Sequence, residues 1–489
     1  MSAPSILSPY GYSSGTCGYC SPSGVRSSKK ESSKYGMISK QMTTEFYQVL
    51  MDRGWRRSGT YVYHPDMART CCPQYTIRLD ALNFKPNKKQ KQVVNRFNRF
   101  LSEGAKPGES IVVDGPGAAG KGAQTGKSGG NKKGKGKANG GQRDLIAELH
   151  EYEVGYGNES QAVHRFETEL VPAEATAERF ELYKEYQIAI HKDKPAEVEM
   201  RGFDRFLCSG PLIAAPIPYK DREASARGIK EKRLPKDYGA HHLLYKVDSQ
   251  VIAISVIDIT PSGVSSVYFI WSPSWAWASL GTLSALYEVS LAQRIRRAEG
   301  DGGKMGWVYM GYWVPDCQKM KYKSEFGPSF LLDPGTNVFH PLSTKLEKYL
   351  VDHPRGYRPF IDIRKEAEGV EDHDASSALP NPKDDHEPGT NKDEDSDEEE
   401  DPVDFPSPPP PSFADPAAFS KEELDQVLVL LSMKGRQLFT ISDLEFVDPT
   451  HMLDTVRQFM AALGKEWVAG AEDRARGTAL KKAIMYLGY

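Results

Sequence analysis

Val251-Ile252-Ala253-Ile254-Ser255-Val256-Ile257-Asp258-Ile259, followed by Val264-Ser265-Ser266-Val267-Tyr268-Phe269-Ile270-Trp271, opens the stretch that decides the fold. Both runs read as strands, short, apolar and rich in β-branched and aromatic residues. Beyond a loop, Leu283, Leu286, Tyr287, Leu291 and Ile295 recur at helical spacing, with Arg294, Arg296 and Arg297 in the last turns, where cations suit the helix dipole. Trp307-Val308-Tyr309-Met310-Gly311-Tyr312-Trp313-Val314 then reads as a further strand. The order strand, strand, helix, strand predicts an α+β domain. Ser279-Leu280-Gly281-Thr282 sets the helix N-terminus close behind a buried strand. The unpaired N–H groups of that first turn, with Gly281 allowing close approach, form a seat for a phosphate or for a carbonyl oxygen that gathers negative charge.

A mixed sheet with one helix entering behind a Gly-containing turn resembles the way GNAT-like acyltransferases hold an acyl donor. The usual GNAT pyrophosphate loop is Arg or Gln, two residues, Gly, one residue, then Gly or Ala. It is missing here, which argues against coenzyme A as the acyl carrier. The strings Val256-Ile257-Asp258, Val264 to Tyr268, Ser279-Leu280-Gly281, Tyr309-Met310-Gly311-Tyr312 and Cys317-Gln318-Lys319-Met320-Lys321-Tyr322-Lys323 together resemble the signature of eukaryotic, fungal-type arginyl-tRNA protein transferases. Tyr183 to Asp193 and Arg205 to Leu212 resemble the same family, with Gly210 intruding between Ser209 and Pro211. Gly239-Ala240-His241-His242-Leu243-Leu244-Tyr245 aligns with a family segment that usually reads Gly-Ser-Phe-His-Gln-Gln-Tyr, so Leu243 and Leu244 replace two amides.

The resemblance implies transfer of arginine from arginyl-tRNA to the N-terminal amine of proteins beginning with Asp, Glu or oxidised Cys, marking them for ubiquitin-dependent degradation. An aminoacyl ester is already activated, so no ATP is needed and the work is positioning, deprotonation and charge stabilisation. Asp258 is expected near a bound amine or the arginine guanidinium, and the amides around Leu280 and Gly281 near a carbonyl or phosphate. Lys319, Lys321 and Lys323 are expected near the acidic acceptor or the tRNA end, with Ser265, Ser266, Tyr268 and Tyr322 as further substrate contacts. Tyr309 and Tyr312 lie on one strand, so at most one faces the cleft. His242 is a catalytic candidate, although a lone His on a strand is more often structural. Two rival classes are a coenzyme A-dependent GNAT acyltransferase and a non-catalytic tRNA- or metal-binding protein.

The chain has 489 residues, enough for two or three domains, and its 63 basic and 66 acidic side chains give a net charge of -3 that hides strong segregation. Six cysteines, no signal peptide and no long apolar run argue for a reducing compartment, cytoplasmic and possibly also nuclear, and for a protein outside the membrane; a monomer is expected. Cys17-Gly18-Tyr19-Cys20 and Cys71-Cys72-Pro73 bracket one predicted helix and one predicted strand. Two such pairs can meet at a single four-thiolate zinc or iron-sulfur site, an arrangement the family resemblance also implies. Neighbouring side chains of extended backbone point to opposite faces, so the chain must turn at Cys71 and Cys72, and Pro73 suits a turn. Cys208 and Cys317 are expected to be ordinary half-buried thiols.

Residues 1–101 therefore read as a small Cys-rich N-terminal domain. It ends in a basic amphipathic helix with Val93, Val94, Phe97, Phe100 and Leu101 on one face and Lys88, Lys89, Lys91, Arg96 and Arg99 on the rest. Residues 104–143 form a Gly- and Lys-rich insertion. Its Gly115 to Lys121 resembles a P-loop but has no hydroxyl beside Lys121 and no helix-forming sequence behind it, so it reads as a flexible basic segment. Residues 144–365 carry the GNAT-like unit, and 366–412 are an acidic, Pro-rich linker. In residues 413–489, Leu424, Val427, Leu428 and Leu431, then Leu453, Val456, Phe459 and Met460, predict a small helical appendage.

Overall fold

The computed structural model describes residues 4–20, 26–104, 106, 145–368, 401–435, 437–445, 449–476 and 481–488. The run from Gly115 to Lys121 and the acidic stretch around Ser396 lie outside them. The fold is mixed α+β, organised by two mixed sheets.

The first sheet begins with β1 (Ser5–Gly15), β2 (Ser32–Thr43), β3 (Arg56–Ser58) and β4 (Tyr61–Pro65), with α1 (Thr44–Asp52) after β2. Thr43 starts α1, its hydroxyl accepting the Phe46 N–H at 3.2 Å and so satisfying one of the helix's orphan donors.

The second sheet takes β5 (Tyr75–Asp80), β6 (Phe166–Pro172), β7 (Asp237–Val247), β8 (Gln250–Ile259), β9 (Gly263–Trp271), β10 (Trp307–Trp313), β11 (Ser329–Asp333) and β12 (Val338–Pro341). Its order is β12-β11-β5-β10-β9-β8-β7-β6, antiparallel throughout except between β9 and β10. Among the helices that pack on it are α2 (Lys88–Glu103) and α3 (Leu280–Glu299). The strand, strand, helix, strand order read from the sequence is β8, β9, α3, β10.

In α3 the Leu283, Leu286, Leu291 and Ile295 row is buried in the main apolar core together with Phe97, Phe100 and Leu101 of α2. A reciprocal capping box of Asn87 and Gln90 starts α2, and Gly104, at φ +77°, ends it in the left-handed conformation that glycine adopts without strain. Lys88, Lys89, Lys91 and Arg99 stay exposed, whereas Arg96 turns inward and donates to the Ser279 hydroxyl at 2.7 Å, beside the start of α3.

Two boundaries differ from expectation. β5 precedes residue 101 yet sits between β11 and β10, so the N-terminal part of the chain supplies a strand to the second sheet. The segment read as a helical appendage is mixed and integral. It contains β13 (Leu428–Leu430), β14 (Leu438–Thr440), α4 (Pro449–Leu463) and β15 (Ala483–Tyr486). The first sheet runs β14-β13-β15-β1-β2-β4-β3, with β15 parallel to β1 from Ser5↔Ala483 to Leu7↔Met485. Val456, Phe459 and Met460 of α4 do lie on one face as the spacing predicts, but that face shares a core with Phe46, Leu50 and Trp55. The end of the Pro-rich linker packs here too: Asp401–Pro402 pairs with β1, and Arg69 donates to the Pro408 carbonyl at 2.6 Å. Among the described residues no helix is long and apolar enough to cross a membrane.

Candidate functional site

β9 and β10 pair only from Gly263↔Trp307 to Ser265↔Tyr309, although each strand runs on for several residues. Gly311, at φ +69°, and a register shift against β5 between Tyr309 and Tyr312 turn β10 aside. A cleft of about 1310 Å³ opens where that ladder stops, with Ser266 and Tyr268 of β9, Met310 and Gly311 of β10, and Gly281 of α3 in its wall. A Cβ added at Gly281 would meet nothing within 4 Å, so the first turn of α3 presents open backbone to the cleft. The crevice thus lies at the carboxyl ends of a parallel strand pair, at a helix N-terminus, where amide hydrogens favour negative charge.

The first sheet supplies the facing wall, including Lys34, Arg56, Arg57, Tyr61 and Tyr63. The rings of Tyr61 and Tyr63 stack with centroids 5.8 Å apart, and Lys34 Nζ lies 5.6 Å from each. Cations interleaved with aromatic faces suit a single-stranded polyanion with planar bases.

The residues singled out from sequence separate into two groups. Ser265, Ser266, Tyr268, Tyr312, Tyr322 and Lys323 all line the cleft with Gly281. Tyr268 shares a 3.1 Å hydrogen bond with His191 Nε2, and Lys323 Nζ donates to the Tyr312 carbonyl at 2.7 Å. Leu280 is buried at the start of α3.

The others are elsewhere. Tyr309 is fully buried, its hydroxyl donating to Asp52 at 2.5 Å and accepting from Gln48 at 2.9 Å, so only Tyr312 of this pair reaches the cleft. Lys319 and Lys321 lie on a 3-10 turn, Gln318–Glu325, outside the cleft lining. His242 is sealed in the protein between the Arg179 guanidinium at 3.2 Å and the Leu207 carbonyl at 3.0 Å, and burial pushes its pKa down to about 4. Its neighbours Leu243 and Leu244 enter two apolar cores, so the side chains at those positions make no cleft contact.

Asp258 is fully buried and does meet a guanidinium, but one from the same chain. Arg57 of β3 grips it twice, Nε to Oδ2 at 2.7 Å and Nη2 to Oδ1 at 2.5 Å. Burial opposes the Arg57 charge and Asp258 more than restores it, so the Arg57 pKa is raised. Arg57, not Asp258, lines the cleft.

Glu288, like Lys34, Arg56, Arg57, Tyr61 and Tyr63 of the facing wall, has no counterpart in the sequence reading. Glu288 lies two turns into α3, 1 % exposed, and its Oε1 accepts from the Ser266 hydroxyl at 3.3 Å and the Ser284 hydroxyl at 3.2 Å. Burial pushes its pKa up to about 7 against the opposing pull of those hydroxyls, Ser255 and Lys323. The signal available in sequence was an acid one residue after Tyr287, in the apolar part of α3 that precedes its arginines.

A second polar cluster imitates a catalytic one. Ser290 Oγ lies 2.8 Å from His150 Nε2, and His150 Nδ1 bonds Glu153, in the order of a hydrolase triad. All three are sealed in the core and Ser290 has zero exposure, so the cluster has no route to a substrate.

The two cysteine pairs do meet. The sulfurs of Cys17, Cys20, Cys71 and Cys72 all lie within 4.8 Å of one another, and Cys20 and Cys71 are 3.9 Å apart. The chain bends at Cys71 and Cys72, as two neighbours sharing one centre require. A tetrahedral ion with Zn–S bonds of ~2.3 Å sets its sulfurs ~3.8 Å apart, so the set fits a bound metal. Arg355 donates to Cys72 Sγ at 3.3 Å and to the Cys71 carbonyl at 2.9 Å, placing positive charge where thiolates would form. Cys317 is not an isolated thiol: it packs with Val314 against the four. Gly18, Tyr19 and Gln74 of the flanking loops line the same cleft.

Residues 15–92 match the family model described as arginine-tRNA-protein transferase, N terminus, and residues 178–333 match the model for its C terminus. Among curated proteins, the chain is 27% identical to arginyl-tRNA–protein transferase 2 of Arabidopsis thaliana, over 78% of this chain and 82% of that one. It is 28% identical to arginyl-tRNA–protein transferase 1 of Drosophila melanogaster, over 71% and 84%. A more distant similarity, at 22% identity over 60% of this chain and 83% of the other, is to aspartate/glutamate leucyltransferase of Pseudomonas syringae pv. syringae.

Proposed function

We propose, from the premise that this chain belongs to the arginine-tRNA-protein transferase family, that the cleft between its two sheets is where arginine passes from arginyl-tRNA to a protein N-terminus. The acceptors are proteins beginning with Asp, Glu or oxidised Cys, and the product is marked for ubiquitin-dependent degradation. One observation carries the placement: both family-matched segments line this same cleft, residues 15–92 through Lys34 and Arg57, residues 178–333 through Tyr268 and Gly281. The parting of β9 from β10 below the N-terminus of α3 supports a GNAT-like reading of the second sheet.

The chemistry divides between the two walls. Phosphates of the tRNA end run along Lys34 and Arg56, and its terminal base stacks on the Tyr61 and Tyr63 face. The ester carbonyl points at the amides of Leu280 and Gly281, which stabilise the oxyanion formed on attack. Ser265, Ser266, Tyr268 and Tyr322 border the reacting groups. The ester supplies the driving force, so no nucleotide is consumed. The protein acts as a monomer, and its free cysteines suit the cytoplasm or nucleus. The test is incubation with labelled arginyl-tRNA and peptides differing only in an N-terminal Asp or Ala. Transfer to the Asp peptide is expected, and binding of arginyl-tRNA without transfer overturns the reading.

Lys323 is the cation of the predicted trio that reaches the cleft, and it reads the acceptor's carboxylate. A charge-assisted contact is worth roughly 1.5 to 3 kcal/mol, so Lys323→Met is expected to narrow the rate ratio of Asp to Ala acceptors by roughly tenfold to a hundredfold. The ratio cancels any effect on steps common to both peptides. An unchanged ratio removes Lys323 from acceptor selection.

The four thiols hold zinc or an iron-sulfur cluster, which when bound fixes the loops that carry Gly18, Tyr19 and Gln74 into the cleft wall. Protein prepared with and without oxygen is expected to contain one such centre per chain, and Cys71→Ser with Cys72→Ser to abolish it. Metal content unchanged in that double variant disposes of the idea.

A further inference from the structure

We propose that Glu288 takes the proton from the acceptor's α-ammonium group, a role that rests on the transfer reaction assigned above. Three observations carry it. Glu288 lines the cleft with Gly281, whose helix turn holds the ester carbonyl, so base and oxyanion seat belong to one rigid helix. The Ser266 and Ser284 hydroxyls donate to Oε1, which fixes the carboxyl in the cleft wall. The two acid-base candidates read from the sequence are occupied, Asp258 by Arg57 and His242 by Arg179 and a backbone carbonyl.

The titratable groups facing Glu288 are Lys323, Tyr322 and Tyr245. Burial dominates over Lys323 and leaves the carboxyl titrating at about 7, close to an α-amine at ~7.7 to 8.0. Donor and acceptor of similar pKa exchange a proton with little free-energy cost in either direction.

The step balances as follows. Glu288 carboxylate accepts one proton of the α-ammonium, and the freed nitrogen pair forms the N–C bond while the carbonyl π pair moves onto oxygen. On collapse the C–O bond to the ribose breaks with its pair on the ribose oxygen, which receives the proton from Glu288. Glu288 then takes the second proton from nitrogen and passes it to water after release, so one ammonium and one ester give one amide, one ribose hydroxyl and one proton.

The experiment compares wild type, Glu288→Gln and Ser266→Ala in transfer of labelled arginine to an Asp-peptide, with filter binding of arginyl-tRNA measured alongside. Glu288→Gln is expected to lower kcat by about a hundredfold to ten-thousandfold with arginyl-tRNA affinity unchanged. Wild-type kcat/KM is expected to rise with pH through about 7, a limb absent from Glu288→Gln and moved to higher pH in Ser266→Ala, which loses a hydroxyl that favours the ionised form. A kcat within threefold of wild type in Glu288→Gln overturns the proposal. So does an unmoved limb in Ser266→Ala, which applies even if Glu288→Gln does not fold. Weakened arginyl-tRNA binding in Glu288→Gln, with no effect on uncharged tRNA, also overturns it by making Glu288 the seat of the arginine side chain. Failure of wild type to transfer arginine at all is a different result and removes the reading beneath.

Discussion

Asp258→Ala is expected to lower the free energy of unfolding by about 3 to 5 kcal/mol, because it leaves the Arg57 guanidinium charged, buried and unpaired. Both partners of this pair are at most 4 % exposed on their side chains, and the contact ties β3 of the first sheet to β8 of the second. Breaking one member costs more than removing both. Arg57→Met combined with Asp258→Leu is therefore expected to recover most of the loss, as measured by urea unfolding of the two single variants and the double. A double variant no more stable than either single one contradicts the assignment. Activity separates stability from function: the double variant should fold and still transfer poorly, since Arg57 lines the cleft.

Asp258 also illustrates what could be read from the chain and what could not. A charge on a core strand announces that something unusual occurs there, and that much was legible. Its partner lies 201 residues upstream, on a three-residue strand with no distinctive pattern, so an internal guanidinium could not be told from a substrate's. The β8, β9, α3, β10 unit was legible because β-branched runs and a 3.6-residue period are local signals. Leu428–Leu430 was misread because three apolar residues after Leu424 and Val427 satisfy a helical period, and the strand exists only through pairing with β14 and β15. The four cysteines were legible as pairs with a spacing rule. Glu288 was not, because one acid on an amphipathic helix is ordinarily solvated, and its burial depends on Ser266 and Lys323 arriving from other elements.

Glu288→Gln, expected to cripple transfer, is expected to stabilise the protein at alkaline pH. In the folded protein Glu288 keeps its proton until about pH 7, whereas its ordinary value is 4.5. Between those values the unfolded chain releases a proton that the folded chain retains, so the wild type loses stability as pH rises through the window and levels off above it. The full loss is worth about 3 kcal/mol. Gln carries no such penalty, so the variant should match or fall below wild type at pH 4.5 and exceed it at pH 8 by up to about 3 kcal/mol. Urea midpoints at the two pH values check this, and equal pH dependence in both proteins contradicts the burial argument. A reactive carboxylate kept in an environment that disfavours its charge is a common exchange of stability for activity.

The pairing of β15 with β1 sets a clock on biosynthesis. Ser5 to Leu7 leave the ribosome long before the strand that covers them, which spans Ala483 to Met485. At about 5 to 20 residues per second the intervening chain takes about 25 to 95 s to appear. Throughout that interval one edge of β1 is an unpaired row of amides and carbonyls, open to any strand that meets it. β2 pairs with the opposite edge of β1, so the nascent protein depends on a chaperone to protect this one until translation supplies its neighbour.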